Sequence, residues 1–422
     1  MSIFTKPIAQ ITFGDIESFC QELVSENVRI EYKKDFSSKD ANKQVAKEIA
    51  AMANTQGGII LYGVDEEQKK PKLPLCGMDK GKSLEKLESK ITSIALDRIY
   101  PPISPEVKAC EVKGNPNKAV MVIRVIESDQ TPHSIEGRTE FYVRANDIAQ
   151  PRHATLEEIE WLQNRRQKAV DFRKRLIERA EIRTEIPFGR IGQDNPCLII
   201  SIVPLFPTHP LTKQNILMDF VDAALREMEL LQGYTPNTTT CQDGVNLTYS
   251  GSRSHINSRN NDLYNYQLNI FGMLYHKTNQ VFHVSPQPAG KSLILRNCLL
   301  QTTVSFLSLA RDFYRKTGYS GLISFELKML GVWGKKLHYR PPLQSIGYTV
   351  KNSCVEQYIH VERNLPVADF DEKFDEFLVN ISSDLLLSCG LGKDGLNREN
   401  ILAMLNVSHS IKLWETGLGI DA

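Results

Sequence analysis

Residues 48–66 read EIAAMANTQGGIILYGVDE, and this stretch decides the fold of the first part of the chain. The pair Gly57-Gly58 predicts a tight end to a helix, because glycine adopts positive φ angles without steric cost. Ile59–Val64 is continuously apolar, which indicates a strand covered on both faces. Asp65 follows at the carboxyl end of that strand. A helix, a glycine turn and a buried strand in this order are typical of folds that layer helices on a sheet.

The residues before this stretch predict a neighbouring strand and two helices. Val28–Lys33 alternates between apolar and charged residues, which predicts a half-buried strand with Glu31 and Lys33 on its polar face. The apolar periodicity predicts a short amphipathic helix over residues 15–26 and a longer helix over residues 38–53. If the two strands are neighbours, their polar side chains share one edge of the sheet.

The rest of the chain also combines strands with helices, so we predict an α/β (α+β) fold: a mixed N-terminal sheet with helices, then a second α/β domain. The changes in character predict a first domain at 1–165, a basic connector helix at 166–183 and a C-terminal domain of unknown role at 184–422. Further predicted elements are helices at 83–98, 155–183, 293–317 and 369–389, strands at 119–126, 141–144, 197–203, 266–275 and 322–330, and a loop at 66–82. Residues 232–262 are predicted to form a long surface loop, with a partly stranded segment as the alternative.

Composition and charge restrict the classes of function. The 422 residues carry a formal net charge of +1, so any nucleic-acid surface must be a local patch and not a field of the whole molecule. The eight cysteines form no CxxC pair and are spaced too widely for a secreted disulfide framework. The first residues do not read as a signal peptide, and the longest apolar stretch is too short to cross a bilayer. We therefore expect a cytoplasmic protein with reduced thiols and no membrane contact.

Three motifs, in order, carry a resemblance to a known family. They are ENVRIEYK at 26–33, EIAAMANTQGG at 48–58 continued by ILYGVDE at 60–66, and FYVR at 141–144 followed by an acidic helix. Together they resemble the Schlafen AlbA-type domain over roughly residues 15–165. The resemblance implies a nucleic-acid-related domain. Many bacterial relatives are described as DNA-binding regulators, whereas vertebrate Schlafens of this type cleave structured RNA, chiefly transfer RNA, with three carboxylates.

By motif position, the resemblance implies that Glu26, Glu31 and Asp65 are those catalytic carboxylates and that they bind Mg²⁺ or Mn²⁺. Hard oxygen ligands suit such cations, and a bound cation activates water and stabilises charge at a scissile phosphate. The charge pattern alone leaves other interpretations open. Glu31 and Lys33 can form a solvated ion pair, Asp65 can belong to an ordinary polar turn, and Glu26 can flank a helix end.

Basic residues near these motifs are candidates for contacts with nucleic acid. Several lie on the predicted loop after Asp65, and others lie on the basic helix, whose alternative interpretation is a solvated connector. The candidate nucleic-acid-binding residues are Lys33, Lys34, Lys69, Lys70, Lys72, Arg144, Arg165 and Arg166.

These observations support three hypotheses. The first is a protein that binds DNA or structured RNA such as transfer RNA, with a regulatory or phage-defence role. The second is a metal-dependent endoribonuclease that cleaves structured RNA. Because the chain has a single motif set, the two-lobed arrangement of the vertebrate enzymes would require a homodimer. The third is a C-terminal domain that senses a ligand or partner and controls the N-terminal domain.

Overall fold

The computed structural model divides into two units, residues 1–168 and 169–422. Each unit combines helices with sheets, so the predicted α+β class is confirmed. Within the part of the chain that is described, no helix has both the length and the apolar character needed to cross a bilayer. The structure describes residues 3–4, 6–36, 40–81, 83–137, 139–145, 148–188, 196–232, 237–252, 261–284, 292–319, 321–339 and 348–391.

The first unit is built on a five-stranded mixed sheet. Its helices are α1 (Phe13–Gln21), α2 (Ala41–Asn54), α3 (Leu84–Arg98) and the first part of α4 (Leu156–Phe188), which continues into the second unit. Its strands are β1 (Ile30–Lys33), β2 (Gly58–Tyr62), β3 (Glu66–Glu67), β4 (Lys70–Pro71), β5 (Met78–Asp79), β6 (Ile99–Tyr100), β7 (Glu106–Val112), β8 (Asn115–Val125), β9 (Ser134–Ile135), β10 (Tyr142–Ala145) and β11 (Ile148–His153).

Helices cover both faces of this sheet. One face packs against α2 and α3 through residues such as Ile60 and Ile123, and the other packs against α1 and the N-terminal segment through residues such as Leu61 and Val122. The strands β1 and β2 are parallel neighbours, with Glu31 paired to Ile60. The sequence motifs require β1 and β2 to be neighbours if their polar side chains are to share one edge of the sheet.

The turn between α2 and β2 needs both glycines. Gly57 has φ +64° and Gly58 has φ +154°. A Cβ atom on Gly58 would lie 2.4 Å from the carbonyl oxygen of Arg29, and one on Gly57 would lie 2.6 Å from that of Val125. Only glycine permits both the conformation and the close approach of the neighbouring backbones.

Two predictions for the first unit are wrong. The polar face of β1 is not solvated, because Glu31 is 1% exposed and has partners inside the fold. The predicted loop at 66–82 contains the antiparallel pair β3–β4 and the short strand β5. A two-residue turn at Gln68 and Lys69, both with positive φ, closes the β3–β4 hairpin. The usual asparagine or glycine signal for such a turn is absent here.

The second unit is built on a seven-stranded sheet with strand order β13-β14-β15-β16-β12-β19-β22. Its helices are α5 (Gln214–Gln232), α6 (Arg296–Thr317), α7 (Val367–Glu372) and α8 (Phe374–Ser388). Its strands are β12 (Cys197–Pro204), β13 (Asn237–Cys241), β14 (Gly244–Ser252), β15 (Asn261–Asn269), β16 (Leu274–Thr278), β17 (Phe282–Val284), β18 (Ser292–Leu295), β19 (Leu322–Leu330), β20 (Lys336–Tyr339), β21 (Tyr348–Ser353) and β22 (Tyr358–Pro366).

Both faces of the central strand β12 are buried. Leu198, Ile200 and Ile202 join the larger core that includes α5, α6 and α8. On the opposite face, Ile199 packs with Leu176 of α4. The second half of α4 therefore lies on the outer face of this sheet.

In the second unit one sequence prediction is wrong, and for another the structure favours the alternative interpretation. Residues 266–275 form the end of β15, a turn and the start of β16, not one strand. The side chain of Asn269 holds this turn by accepting hydrogen bonds from the backbone N–H groups of Phe271 and Met273. The surface loop predicted at 232–262 contains β13, β14 and the first residues of β15, and its residues 253–260 lie outside the described part of the chain.

Candidate nucleic-acid interface

The carboxylate of Glu31 lies in a buried ion network of the first unit. Its Oε2 atom accepts a hydrogen bond of 2.7 Å from Nη2 of Arg144, and the two side chains are 2% and 0% exposed. Its Oε1 atom accepts a hydrogen bond from the ammonium group of Lys33. Arg144 also donates through Nη1 to the carbonyl of Asn27 at 3.3 Å. Both oxygens of Glu31 are therefore bound by cations, which offset the cost of burying its charge.

A second buried carboxylate, that of Glu48 on α2, belongs to the same network. It accepts hydrogen bonds from Gln44 at 2.8 Å and from the hydroxyl of Tyr62 at 3.3 Å, and it lies 3.8 Å from the Lys33 ammonium. Burial raises the pKa of Glu48. Burial alone would lower the pKa of Lys33, but Glu48 and Glu31 outweigh it, so this pKa is raised and Lys33 stays charged.

Glu26 lies beside this network at the exposed edge of β1. Its Oε1 atom accepts a hydrogen bond of 2.9 Å from the backbone N–H of Tyr32, a group that no strand pairs. Burial raises the pKa of Glu26 to about 7; the hydrogen bond from Tyr32 opposes the shift, and the charges of Glu31 and Glu66 add to it. Glu26 therefore changes its charge near neutral pH.

The β3–β4 hairpin is attached to the same edge of the sheet. The backbone N–H of Glu26 donates to the carbonyl of Lys69 at 2.7 Å, and that of Lys72 donates to the carbonyl of Asp65 at 2.8 Å. Lys34, at the end of β1, forms a 3.4 Å ion pair with the carboxylate of Asp65. The structure thus brings the hairpin lysines close to the ends of β1 and β2.

The lysines of this region are exposed. Lys34 is 62% exposed in its side chain, and Lys69, Lys70 and Lys72 are exposed along the hairpin. Lys33 is 31% exposed although its ammonium faces two carboxylates. We call the five residues Lys33, Lys34, Lys69, Lys70 and Lys72 the lysine edge.

The three predicted metal ligands do not form one site in this arrangement. Both oxygens of Glu31 are occupied by Arg144 and Lys33, and Asp65 is paired with Lys34. In the described residues, no group of three or more His, Cys, Asp or Glu side chains is placed to hold a metal ion. The donor set does not fit a divalent cation as it stands, because such a cation needs several free oxygen ligands around one point. The metal-binding and catalytic roles of Glu26, Glu31 and Asp65 stay predictions.

Two of the predicted phosphate contacts lie within the fold. Arg144 is buried against Glu31, so a contact with nucleic acid would require that ion pair to open. Arg165 of α4 donates to the carbonyls of Ala53, Asn54 and Thr55 at the end of α2 at 3.2–3.3 Å, and it also pairs with Glu127. A cation at a helix C-terminus stabilises the helix. Arg166, the next residue, is exposed.

Glu48 is a site residue that sequence reasoning missed. It lies three residues after Val45 and one before Ile49, on the apolar face of α2 that packs into the core. A charged residue at such a position is buried, and it must have a partner. The apolar periodicity of α2 therefore indicated that Glu48 is buried. The sequence did not indicate that its partner is Lys33, which lies on a different element.

Comparison with known proteins agrees with the sequence motifs. Residues 26–152 match the protein-family model described as Schlafen, AlbA_2, which confirms the resemblance of the N-terminal domain. Among solved structures, the chain is similar to the DIP2311 protein of Corynebacterium diphtheriae, with 18% sequence identity, a TM-score of 0.25 and coverage of 36% of this chain and 27% of that one. It is also similar to the N-terminal domain of a protein of Nitrosomonas europaea described as related to the ATP-dependent DNA helicase RecG. The identity is 23%, the TM-score 0.26 and the coverage 33% of this chain and 92% of that one. Both TM-scores are too low to support an inference, and no curated protein matches the chain.

Proposed function

We propose that the first unit binds nucleic acid through the lysine edge. The observation that carries the proposal is the Schlafen AlbA_2 match over residues 26–152, which associates this domain with nucleic-acid-related function. The exposed ammonium groups of Lys34, Lys70 and Lys72 supply the cations that phosphate groups bind. Arg144 and Arg165 serve the same surface indirectly, because they hold β1 and the end of α2 in place.

The charge balance of the hairpin limits how strongly it attracts a polyanion. Residues 65–72 contain Lys69, Lys70 and Lys72 together with the acidic run Asp65-Glu66-Glu67. Lys70 lies opposite Glu67 in the hairpin. Attraction at long range is therefore weak, and binding depends on direct contacts between lysines and phosphates. We expect moderate affinity that falls as the salt concentration rises.

Gel-shift titration of the full chain with duplex DNA, single strands and transfer RNA, each at two salt concentrations, tests the proposal. Binding to one of these polymers that weakens at the higher salt is the expected result. A chain that binds none of them at low salt contradicts the proposal. The same titration compares DNA with RNA, because the lysine edge does not predict which of the two polymers binds more tightly.

A matched pair of variants locates the surface. Lys70→Ala/Lys72→Ala removes two exposed cations of the lysine edge, and Lys86→Ala/Lys113→Ala removes two exposed cations elsewhere in the first unit. We expect the first variant to weaken binding and to reduce the slope of log affinity against log salt by about 1 for each lysine lost. The second variant should bind as the parent does. Equal losses in both variants would show that the lysine edge is not the binding surface.

Cleavage of structured RNA remains the alternative that the family resemblance implies. No observation on the described residues favours it over binding, because the three carboxylates have separate partners. Incubation of transfer RNA with the chain and Mg²⁺ or Mn²⁺, followed by a denaturing gel, distinguishes the two functions. Intact RNA that is shifted on a native gel supports binding alone.

A further inference from the structure

A cavity of about 260 Å³ lies in the second unit, between the second half of α4 and the outer face of the seven-stranded sheet. This volume is below the range of about 300–1,000 Å³ that is usual for drug-sized ligands. A ligand that fills the cavity must therefore be a small molecule.

The walls of the cavity carry charges of both signs. The helix wall and the sheet wall each contain basic and acidic side chains, and two serines of the sheet also line the space. The charged and hydroxyl lining residues are Arg173, Lys174, Glu178 and Glu181 of α4, and Ser201, Ser324, Glu326, Lys328 and Glu362 of the sheet.

Arg173 lines the cavity from the helix side. Its Nη1 atom is buried and has no hydrogen-bond partner among the described residues. Burial lowers the pKa of Arg173, and the nearby charges of Glu362 and Glu326 oppose that shift. An unsatisfied buried donor on a cation costs free energy. An anionic group of a ligand would pair with the guanidinium where Arg173 lines the cavity.

The opposite wall presents an excess of negative charge. Glu326 and Glu362 lie directly opposite each other on the antiparallel strands β19 and β22, where like charges destabilise the pair. Glu326 forms an ion pair with Lys328 and a hydrogen bond with the ring of His360, each at 2.8 Å. Glu362 is exposed and has no ion pair within the described part of the chain. A cationic group of a ligand would relieve this repulsion.

The floor between these charges is polar and buried. Ser201 and Ser324 are 2% and 8% exposed, and both line the cavity. Ser201 is the register partner of Glu326, so its hydroxyl lies in the same row of the sheet as the two carboxylates. The serine hydroxyls can donate hydrogen bonds to a ligand that lies along this row.

We propose that this cavity binds a small zwitterion of the amino-acid class, whose carboxylate contacts Arg173 and whose ammonium lies at Glu326 and Glu362. The site is separate from the lysine edge, and its ligand is chemically unrelated to nucleic acid.

Isothermal titration of the full chain with each of the twenty standard amino acids, at concentrations up to millimolar, tests the proposal. Acetate and methylamine, which carry one of the two charges each, are the comparison probes. We expect at least one amino acid to bind and both single-charge probes to bind much more weakly. If no amino acid binds, or if methylamine binds as tightly as the best amino acid, the proposal is wrong.

Two variants and their controls place the ligand in the cavity. Arg173→Gln should weaken binding of the best amino acid by about tenfold or more, because it removes a charge-assisted hydrogen bond. Glu362→Gln should also weaken binding of this amino acid. Because Glu362 is exposed, this variant should fold even if Arg173→Gln does not. The controls are Arg175→Gln on the exposed face of the same helix and Glu356→Gln near β22. Unchanged affinity in folded Arg173→Gln, or in Glu362→Gln, would overturn the assignment.

Discussion

Two arginines, Arg144 of the first unit and Arg173 of the second, show how differently the two units use charge. The Arg144 guanidinium has hydrogen-bond partners at both Nη atoms, and its strongest partner, Glu31, is itself buried and bound by a second cation. Arg173 has a buried Nη1 with no partner among the described residues, and the nearby Glu362 is exposed. Each arginine therefore keeps one buried nitrogen without a partner among the described residues, Nε in Arg144 and Nη1 in Arg173. The two networks differ in their carboxylates. We call the first network closed, because both oxygens of the buried Glu31 are bound by cations, and the second open, because Glu362 is exposed and has no ion pair within the described part of the chain.

The largest expected effect comes from opening the closed network. Glu31→Ala leaves Arg144 buried without its main counter-ion, so we expect the free energy of unfolding to fall by about 3–5 kcal/mol. Asp65→Ala removes a partly exposed carboxylate that pairs with the exposed Lys34, and it should cost less than about 1 kcal/mol. Urea unfolding of the two variants measures the difference. Equal losses of unfolding free energy would mean that the buried ion pair of Glu31 contributes no more to stability than the exposed ion pair of Asp65.

A smaller effect is expected at Arg165, where one side chain serves three backbone carbonyls at the end of α2. Arg165→Met keeps the aliphatic part of the side chain and removes the donors, and it should lower the free energy of unfolding by about 2 kcal/mol. The exposed neighbour provides the control, since Arg166→Met should change stability by less than about 0.5 kcal/mol. If both variants are as stable as the parent, the hydrogen bonds of Arg165 do not stabilise the first unit.

The pH dependence of Glu26 gives a third test. We expect an effect of about 1 kcal/mol, well below the full value of the pKa shift, because solvent screens a half-buried carboxylate. Its pKa is raised to about 7 in the fold from 4.5, so the folded state binds more protons between these values and loses stability as pH rises through them. Glu26→Gln keeps an acceptor for the N–H of Tyr32 and removes this loss. The difference in unfolding free energy between the variant and the parent should therefore grow in favour of the variant from pH 4.5 to 7.

The opposite trend of His133 does not disturb this comparison. Burial lowers the pKa of His133 to about 4 from 6.5, so its neutral form stabilises the fold and this contribution is lost as pH falls through the same interval. His133 is present in both proteins, and its contribution cancels in the difference. Glu67→Gln, which makes the same change on the exposed hairpin, is the control.

The smallest expected effect is in the open network. Glu362→Gln should change the free energy of unfolding by less than about 0.5 kcal/mol without ligand, because Glu362 is exposed and loses one repulsive and one attractive neighbour together. Thermal unfolding with and without the best-binding amino acid measures this. A loss as large as that expected for Glu31→Ala would show that the second network is also closed.

Local patterns predicted most of the fold around the site, and the errors have a common physical cause. The glycine pair and the apolar run placed α2, the turn and β2 correctly, because turns and buried strands depend on nearby residues. The segment predicted as one strand at 266–275 is two strands, because the side-chain oxygen of Asn269 accepts hydrogen bonds from the backbone N–H groups of Phe271 and Met273. Apolar periodicity does not reveal such a turn.

The site was harder to predict because its contacts join distant parts of the chain. Motif position identified Glu26, Glu31, Lys33 and Asp65. In the structure Glu31 and Lys33 lie on β1, Glu26 precedes that strand, and Asp65 follows the neighbouring β2. Motif position did not predict that Glu31 is buried, since that depends on Arg144 from β10. The cavity in the second unit had no signal in the sequence, because its walls come from three strands and a helix.

The ion pair of Glu31 and Arg144 joins residues that are 113 positions apart. A growing or truncated chain that stops before residue 144 contains a strand β1 whose central acid has lost its main counter-ion. Closing so long a loop is slow compared with local helix formation. We therefore expect the N-terminal domain to become stable only once β10 has been added, and shorter fragments to be prone to proteolysis.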